Sequence, residues 1–219
     1  MALSLKEQRN CLNIFIMSNH IVYRLLTIHD AERYHQIRLE CLRNHPDHFG
    51  STYEEEMDIE TTRFIKELTE ENNHSFWFGA FDAEKLVGIA GFVQQKRLKT
   101  RHRGELVQVY VHPSMTHKGI GKELLTLTID QAFSNTEIEQ IFLSVVESNN
   151  KAVALYKKFG FVECGFIENY FKKDGIYSSQ VFMVLPKLDF KDFGNNWKER
   201  TFNEFLLKLR SLYNRSRMS

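Results

Sequence analysis

Cysteine is scarce in this chain of 219 residues: Cys11, Cys41 and Cys164 are odd in number, widely spaced and form no Cys-x-x-Cys pair. That excludes a disulfide framework and a zinc knuckle, and it fits a reducing compartment. An excess of charge of one sign is also missing. Twenty-nine Lys and Arg stand against 28 Asp and Glu, a net charge of +1, whereas affinity for a phosphate backbone needs clustered basic residues. A nucleic acid is therefore not an expected partner. No apolar run approaches the roughly 20 residues of a membrane-spanning helix. Leu12 to Met17 is short, interrupted by Asn13 and followed by no small-residue cleavage site, so the expectation is a cytoplasmic protein without a signal peptide. His45-Pro46-Asp47-His48 offers two imidazoles but no third ligand, and no metal is expected. Repeats and low-complexity segments are lacking too. The length suits one domain with appendages.

What is present is a regular succession of elements. Ile21 to Leu26 reads as a first strand, and Thr27 or Asp30 can cap a helix carrying Tyr34, Ile37, Cys41 and Leu42 at helical spacing. Asn44 to Glu56 reads as a polar loop, followed by a helix capped at Asp58 and running through Ile65 and Leu68. Phe76 to Phe81 and Leu86 to Gln94 are strands joined by a turn. Glu105 to Val111 is the next, stopped by His112-Pro113 because proline lacks the ladder donor. A helix over Gly119 to Phe133 faces the core with Leu124, Leu125, Leu127 and Ile129, and Ile138 to Val146 is again a strand. After a helix over Asn149 to Phe159, Val162 to Tyr170 and Ile176 to Leu185 form a closing antiparallel pair. The order β-α-α-β-β-β-α-β-α-β-β predicts a mixed α/β sheet with helices on its faces.

Two motifs carry chemistry. His117-Lys118-Gly119-Ile120-Gly121-Lys122 follows a strand and opens a helix. Glycines let a backbone approach a diphosphate closely, and a helix start offers unpaired N–H groups and the favourable dipole end. The second motif, Asn149-x-x-Ala152-x-x-Leu155-Tyr156, begins 28 residues (149 − 121) later and ends at Gly160. Together and in this order they resemble the GNAT superfamily of acetyl-CoA-dependent N-acetyltransferases, over about residues 20 to 186. The family's glycine pattern is Arg/Gln-x-x-Gly-x-Gly/Ala; here Thr116 takes the first position and His117 the place of a usual glycine.

The resemblance implies the GNAT fold and acetyl-CoA as co-substrate, its diphosphate cradled by His117, Lys118, Gly119, Ile120, Gly121 and Lys122. The backbone of Val109, Tyr110 and Val111 would meet the pantetheine arm as an added strand edge. Tyr156 would protonate the departing thiolate, and Asn149 would touch the pantetheine or simply cap its helix. Glu105 stands 16 residues (121 − 105) before Gly121, the spacing of a catalytic glutamate in some members. By strand alternation Glu105, Val107, Val109 and Val111 share a face, so apolar neighbours would raise the carboxyl pKa toward that of a general base. The other reading pairs Glu105 with Arg101 or Arg103.

The expected activity is direct acetyl transfer to a primary amine of a small molecule or a protein, since no nucleophilic triad is legible. The competing class is a non-catalytic acyl-CoA sensor. The resemblance also implies that the loop over Asn44 to Glu56 shapes the acceptor site; its Pro46-x-x-Phe49-Gly50-Ser51 resembles a subgroup of the family, and Glu54-Glu55-Glu56 would either draw a cationic amine or merely start a helix. The expected organisation is an extension over 1–19, the catalytic domain over 20–186 and a basic tail over 187–219. That tail has eight Lys/Arg and four Asp/Glu, net +4 (8 − 4), and Phe202, Phe205, Leu206, Leu209, Leu212 and Tyr213 form one helical stripe. The stripe would dock on the domain itself, on a partner or on a second copy in a homodimer; a membrane is not the expected partner.

Overall fold

Long apolar runs bounded by turns produce an eight-stranded mixed sheet in the computed structural model, which describes residues 16–18, 20–58, 64–66 and 75–187. The strands are β1 (Ile16–Ser18), β2 (Ile21–Leu25), β3 (Phe76–Asp82), β4 (Lys85–Gln94), β5 (Arg103–Val111), β6 (Gln140–Val146), β7 (Val162–Lys173) and β8 (Ile176–Pro186). The helices are α1 (Ala31–Asn44), α2 (Tyr53–Met57), α3 (Ile120–Ser134) and α4 (Asn150–Lys158). Across the sheet the order is β1-β2-β3-β4-β5-β6-β8-β7. Every neighbouring pair is antiparallel except β5 and β6, which the α3 crossover makes parallel.

Strands β3 and β4 are buried almost throughout, the pattern of a sheet covered on both faces. On one face α1 packs Tyr34, Ile37, Cys41 and Leu42 against Trp77, Phe81 and Ile89, with Phe64 joining them. On the other, Leu125 and Ile129 of α3 pack with Tyr156 of α4, Leu106 and Leu143. All seven expected strands are present, and the helix stripes Tyr34/Ile37/Cys41/Leu42 and Leu124/Leu125/Leu127/Ile129 are buried as read.

The structure adds two elements. Ile16–Ser18 pairs with β2, Ile16 opposite Tyr23, so the sheet begins inside the segment set aside as an extension. Tyr53–Met57 is a helix where a loop was expected: Thr52 accepts from the Glu55 amide at 3.2 Å while Glu55 returns the bond to Thr52 at 2.7 Å, a reciprocal cap that starts even a short helix. Asp58 closes this helix, and residues 59–63, where the next was expected to begin, lie outside the described residues. Residues 64–66 are helical, as expected around Ile65, whereas Leu68 and the tail stripe from Phe202 to Tyr213 lie outside the described residues. At the entry to α1, Asp30 does not cap through its side chain; its carboxylate takes Arg24 through two bonds of 2.7 and 2.6 Å and the Thr27 amide at 2.9 Å.

Candidate active site

The parallel pair sets the geometry. Strands β5 and β6 are paired only at Arg103–Gln140, Gly104–Ile141 and Glu105–Phe142. Past Glu105 they separate, while β6 keeps β8 on its other edge along its whole length, from Gln140–Pro186 to Val146–Gln180. Among the described residues one edge of β5 beyond Glu105 therefore has no strand partner, and an extended amide ligand can pair there as a strand would.

Glu105 stands at the last paired rung, where the splay opens. Its cross-strand partner is Val93, which packs on the α1 side, so the carboxylate faces that side. Arg101 is paired with Glu137 at 3.1 Å and the Arg103 guanidinium lies 3.9 Å over the Phe142 ring. Neither reaches Glu105, whose carboxylate has no hydrogen bond or ion pair among the described residues. Burial raises its pKa above the ordinary carboxylate value.

The expectation that Glu105, Val107, Val109 and Val111 share one face fails. The register slips between Ile89 and Gly91, with Ile89 opposite Tyr110 and Gly91 opposite Val107, and Gln108 takes φ 55°. This bulge inserts a residue into β5 and inverts the alternation beyond it. Val107 packs on the α1 side with Tyr110, while Val109 and Val111 pack on the α3 side.

The turn into α3 is built from local steric choices. Thr116 donates its hydroxyl to the Pro113 carbonyl at 2.9 Å, which leaves that side chain engaged in the turn. His117 at φ 64° and Gly119 at φ 80° both take the left-handed conformation, which also occurs in backbone anion nests. Gly119 is the N-cap residue and no side chain caps the helix, so its first amides are available to an anion. A Cβ on Gly119 would have nothing within 4 Å, and one on Gly121 would touch only Val111 Cγ2 at 3.6 Å. The cradle is thus open on the ligand side and abuts the end of β5. Lys118 and Lys122 are exposed beside it, with Lys118 Nζ 3.3 Å from Met115 Sδ. These residues fit a diphosphate group.

On α4, Asn149 caps the helix by accepting from the Ala152 amide at 3.2 Å. Tyr156 is 8% exposed and meets Phe161 edge to face at 5.9 Å. Its hydroxyl has no hydrogen-bond partner among the described residues, and burial raises its pKa. Tyr156 packs in the cluster that also contacts Val109. Tyr156 and Val109 thus sit on the α3 and α4 side of the splay, and Glu105 on the α1 side.

A loop crosses the splay on the Glu105 side. Asn44 at the end of α1 donates to Tyr110 Oη at 3.3 Å, Pro46–His48 contacts β6, and a Cβ on Gly50 would meet Phe171 of β7 at 3.1 Å. The loop therefore spans from β5 to β7. Of the three adjacent carboxylates, Glu55 is engaged in the Thr52 cap and Glu56 in an ion pair with Arg38 at 3.1 Å. Glu54 and Glu55 are both exposed.

Sequence reading missed Gln108 and Glu40. Glu40 accepts from Tyr110 Oη at 2.8 Å and lies 3.6 Å from His112 Nε2. Gln108 had a signal: strict alternation would put it between Leu106 and Tyr110 on an apolar face, a poor place for an amide. Glu40 had none, being one polar residue on a helix full of them.

The profile of the "Acetyltransferase (GNAT) family" matches residues 32–161, more than half of the chain. The chain is 32% identical over 96 residues to spermidine N(1)-acetyltransferase of Vibrio cholerae, covering 44% of this chain and 54% of that protein. With the N-alpha-acetyltransferase RimI of Mycobacterium tuberculosis it shares 31% over 112 residues, 51% of this chain and 66% of the relative. The match thus spans only about half the length of the Vibrio protein. A GNAT-family acetyltransferase from Streptococcus pneumoniae superposes with a TM-score of 0.65 at 24% identity, over 76% of this chain and 99% of that one. The structure of yncA from Salmonella typhimurium, solved with its cofactor acetyl-CoA, gives 0.65 at 20% identity over 77% and 94%. Motif order, sheet topology and family profile agree: the chain belongs to the GNAT acetyltransferase family.

Proposed function

We infer that the protein transfers an acetyl group from acetyl-CoA to a primary amine, by direct attack in the β5–β6 splay. The observation that carries this reading is the separation of the strands immediately after Glu105, with an uncapped helix start beside the free edge. Acetyl-CoA supplies the activated acetyl thioester when bound. The amides at His117 to Lys122 hold the diphosphate, and the backbone of Val109 to Val111 pairs with the pantetheine arm. Glu105, raised in pKa and unpaired, takes the ammonium proton directly or through water. The neutral amine nitrogen then bonds to the acetyl carbon as the carbon–sulfur bond breaks, and its second proton leaves to solvent. Tyr156, whose hydroxyl has no hydrogen-bond partner among the described residues, gives its proton to the departing sulfur and regains one from solvent. A backbone N–H near Val109 polarises the carbonyl oxygen.

An amine acceptor is further supported by relatives named for acetylating spermidine and for N-alpha-acetylation. The loop over Pro46–His48 covers the acceptor side. A cytoplasmic location and a catalytic unit over residues 20–186 belong to the same reading; no described helix is long and apolar enough to cross a membrane. The test is release of free thiol from acetyl-CoA by purified protein across small amines, polyamines and peptide N-termini. Amine-dependent release is expected. Acetyl-CoA binding without release from any acceptor would replace this reading with the non-catalytic sensor, for which His117 and Thr116 at altered family positions would be the marks.

A further inference from the structure

Gln108 holds a backbone conformation that its own side chain disfavours, and the proposed chemistry gives it no part. At φ 55° it lies in the left-handed region, where glycine is the residue that fits without steric conflict. Such a conformation persists in a non-glycine residue only where the surroundings over-determine it. Here they do. Gln108 Oε1 accepts from Trp77 Nε1 at 2.8 Å and from the Tyr34 hydroxyl. Both donors are anchored: Trp77 is buried over Gly91, where a Cβ would overlap the indole, and Tyr34 stacks on Phe64 with ring centroids 3.8 Å apart. One side-chain oxygen on the α1 side thus ties a left-handed residue of β5 to two fixed rings. The next residue, Val109, emerges on the opposite side at the splay.

We propose that Gln108 is a positioning residue whose clamped amide holds the β5 bulge, so that the free backbone edge at Val109 stays aimed at the thioester of the co-substrate. This rests on the splay being the site of acetyl transfer. Gln108 touches no reacting atom; it acts through the backbone it fixes. A group that only satisfied the Trp77 and Tyr34 donors would contribute to stability and leave the division between kcat and binding untouched.

Three proteins separate these roles: wild type, Gln108→Gly and Gln108→Glu. Glycine accepts the same φ but removes the clamp, whereas glutamate retains an acceptor oxygen in either protonation state. Turnover, affinity for free CoA and amide hydrogen exchange over residues 107–110 are measured on the full chain. In Gln108→Gly, kcat falls tenfold or more, CoA affinity falls no more than threefold because the pantetheine edge is loosened while the α3 turn is untouched, and exchange at 108–110 accelerates at least tenfold. Gln108→Glu restores kcat to within threefold of wild type. Unchanged exchange in Gln108→Gly overturns the clamp, and because exchange is read without turnover it decides this even if wild type acetylates no amine. Equal loss of kcat in the glycine and glutamate variants, or loss of kcat and CoA affinity in parallel, also overturns it.

Discussion

Gly119→Ala separates the fold's need for a glycine from the ligand's need for space. Gly119 caps α3 at φ 80°, and no protein atom lies within 4 Å of the position a Cβ would take. The methyl meets no steric clash, so the cost to folding is conformational: about 1–2 kcal/mol for an L-residue held left-handed. For a domain of this size that lowers Tm by roughly 2–8 °C. Gly121→Ala is the control. Its Cβ would touch only Val111 Cγ2 at 3.6 Å in a helical backbone, and alanine gains up to about 1 kcal/mol over glycine there, raising Tm by roughly 1–4 °C. The co-substrate orders them the same way. A methyl on residue 119 stands before the open amides and should weaken acetyl-CoA binding tenfold or more, about 1.4 kcal/mol. Gly121→Ala should stay within about threefold, or roughly 0.7 kcal/mol, and the bulkier Gly121→Val should lose tenfold. Circular dichroism melts give the first quantity and titration calorimetry with acetyl-CoA the second. A folded Gly119→Ala protein with unaltered affinity would mean that the diphosphate is held elsewhere.

Tyr156→Phe should lower turnover at least tenfold with acetyl-CoA affinity and Tm nearly unchanged, because the lost hydroxyl holds no protein partner among the described residues; unchanged turnover would remove it as the acid. Asp30→Asn should destabilise the protein by about 2 kcal/mol, since the carboxylate takes a charged pair of bonds from Arg24. Burial alone would raise the Asp30 pKa, but the bonds from Arg24 and Thr27 outweigh it and hold the value low. A depressed carboxyl contributes stability above its unfolded value near ~3.9 and loses it as pH falls through the lower folded value. Denaturant melts should therefore show a shallower decline below about pH 4 in Asp30→Asn than in wild type; parallel acid limbs would refute the pairing.

The sheet was legible because its strands are apolar runs with turn residues between them, and the glycine turn because φ 80° at residue 119 leaves few alternatives to glycine. Helices α1 and α3 announced themselves by buried stripes at helical spacing. Short elements escaped. Ile16–Ser18 is a strand only because β2 offers it an edge, and Tyr53–Met57 is too brief for a periodicity, although Thr52 and Glu55 carried the cap signature. The bulge was the costliest omission. Alternation assumes that every residue of β5 pairs, and the clamp that breaks this assumption joins Gln108 to Trp77 and Tyr34, 31 and 74 positions away in sequence. The role proposed for Glu105 rests on the resemblance to GNAT members, and Glu105 and Val107 keep a common side because both precede the slip.

Glu105 is also where acetyl transfer in the splay is most directly examined. Only a neutral amine attacks, and aliphatic amines with values near ~10.4 are almost wholly protonated at neutral pH. A carboxylate can take that proton and an amide cannot. With acetyl-CoA saturating, kcat/KM for the amine is measured against pH in wild type and in Glu105→Gln, with folding checked by circular dichroism. The wild-type profile should rise through an ionisation above the ordinary carboxylate value, the direction in which burial moves Glu105, and Glu105→Gln should lose that limb and most of its height. Superimposable profiles of equal height would contradict a base at Glu105 and leave the proton to solvent.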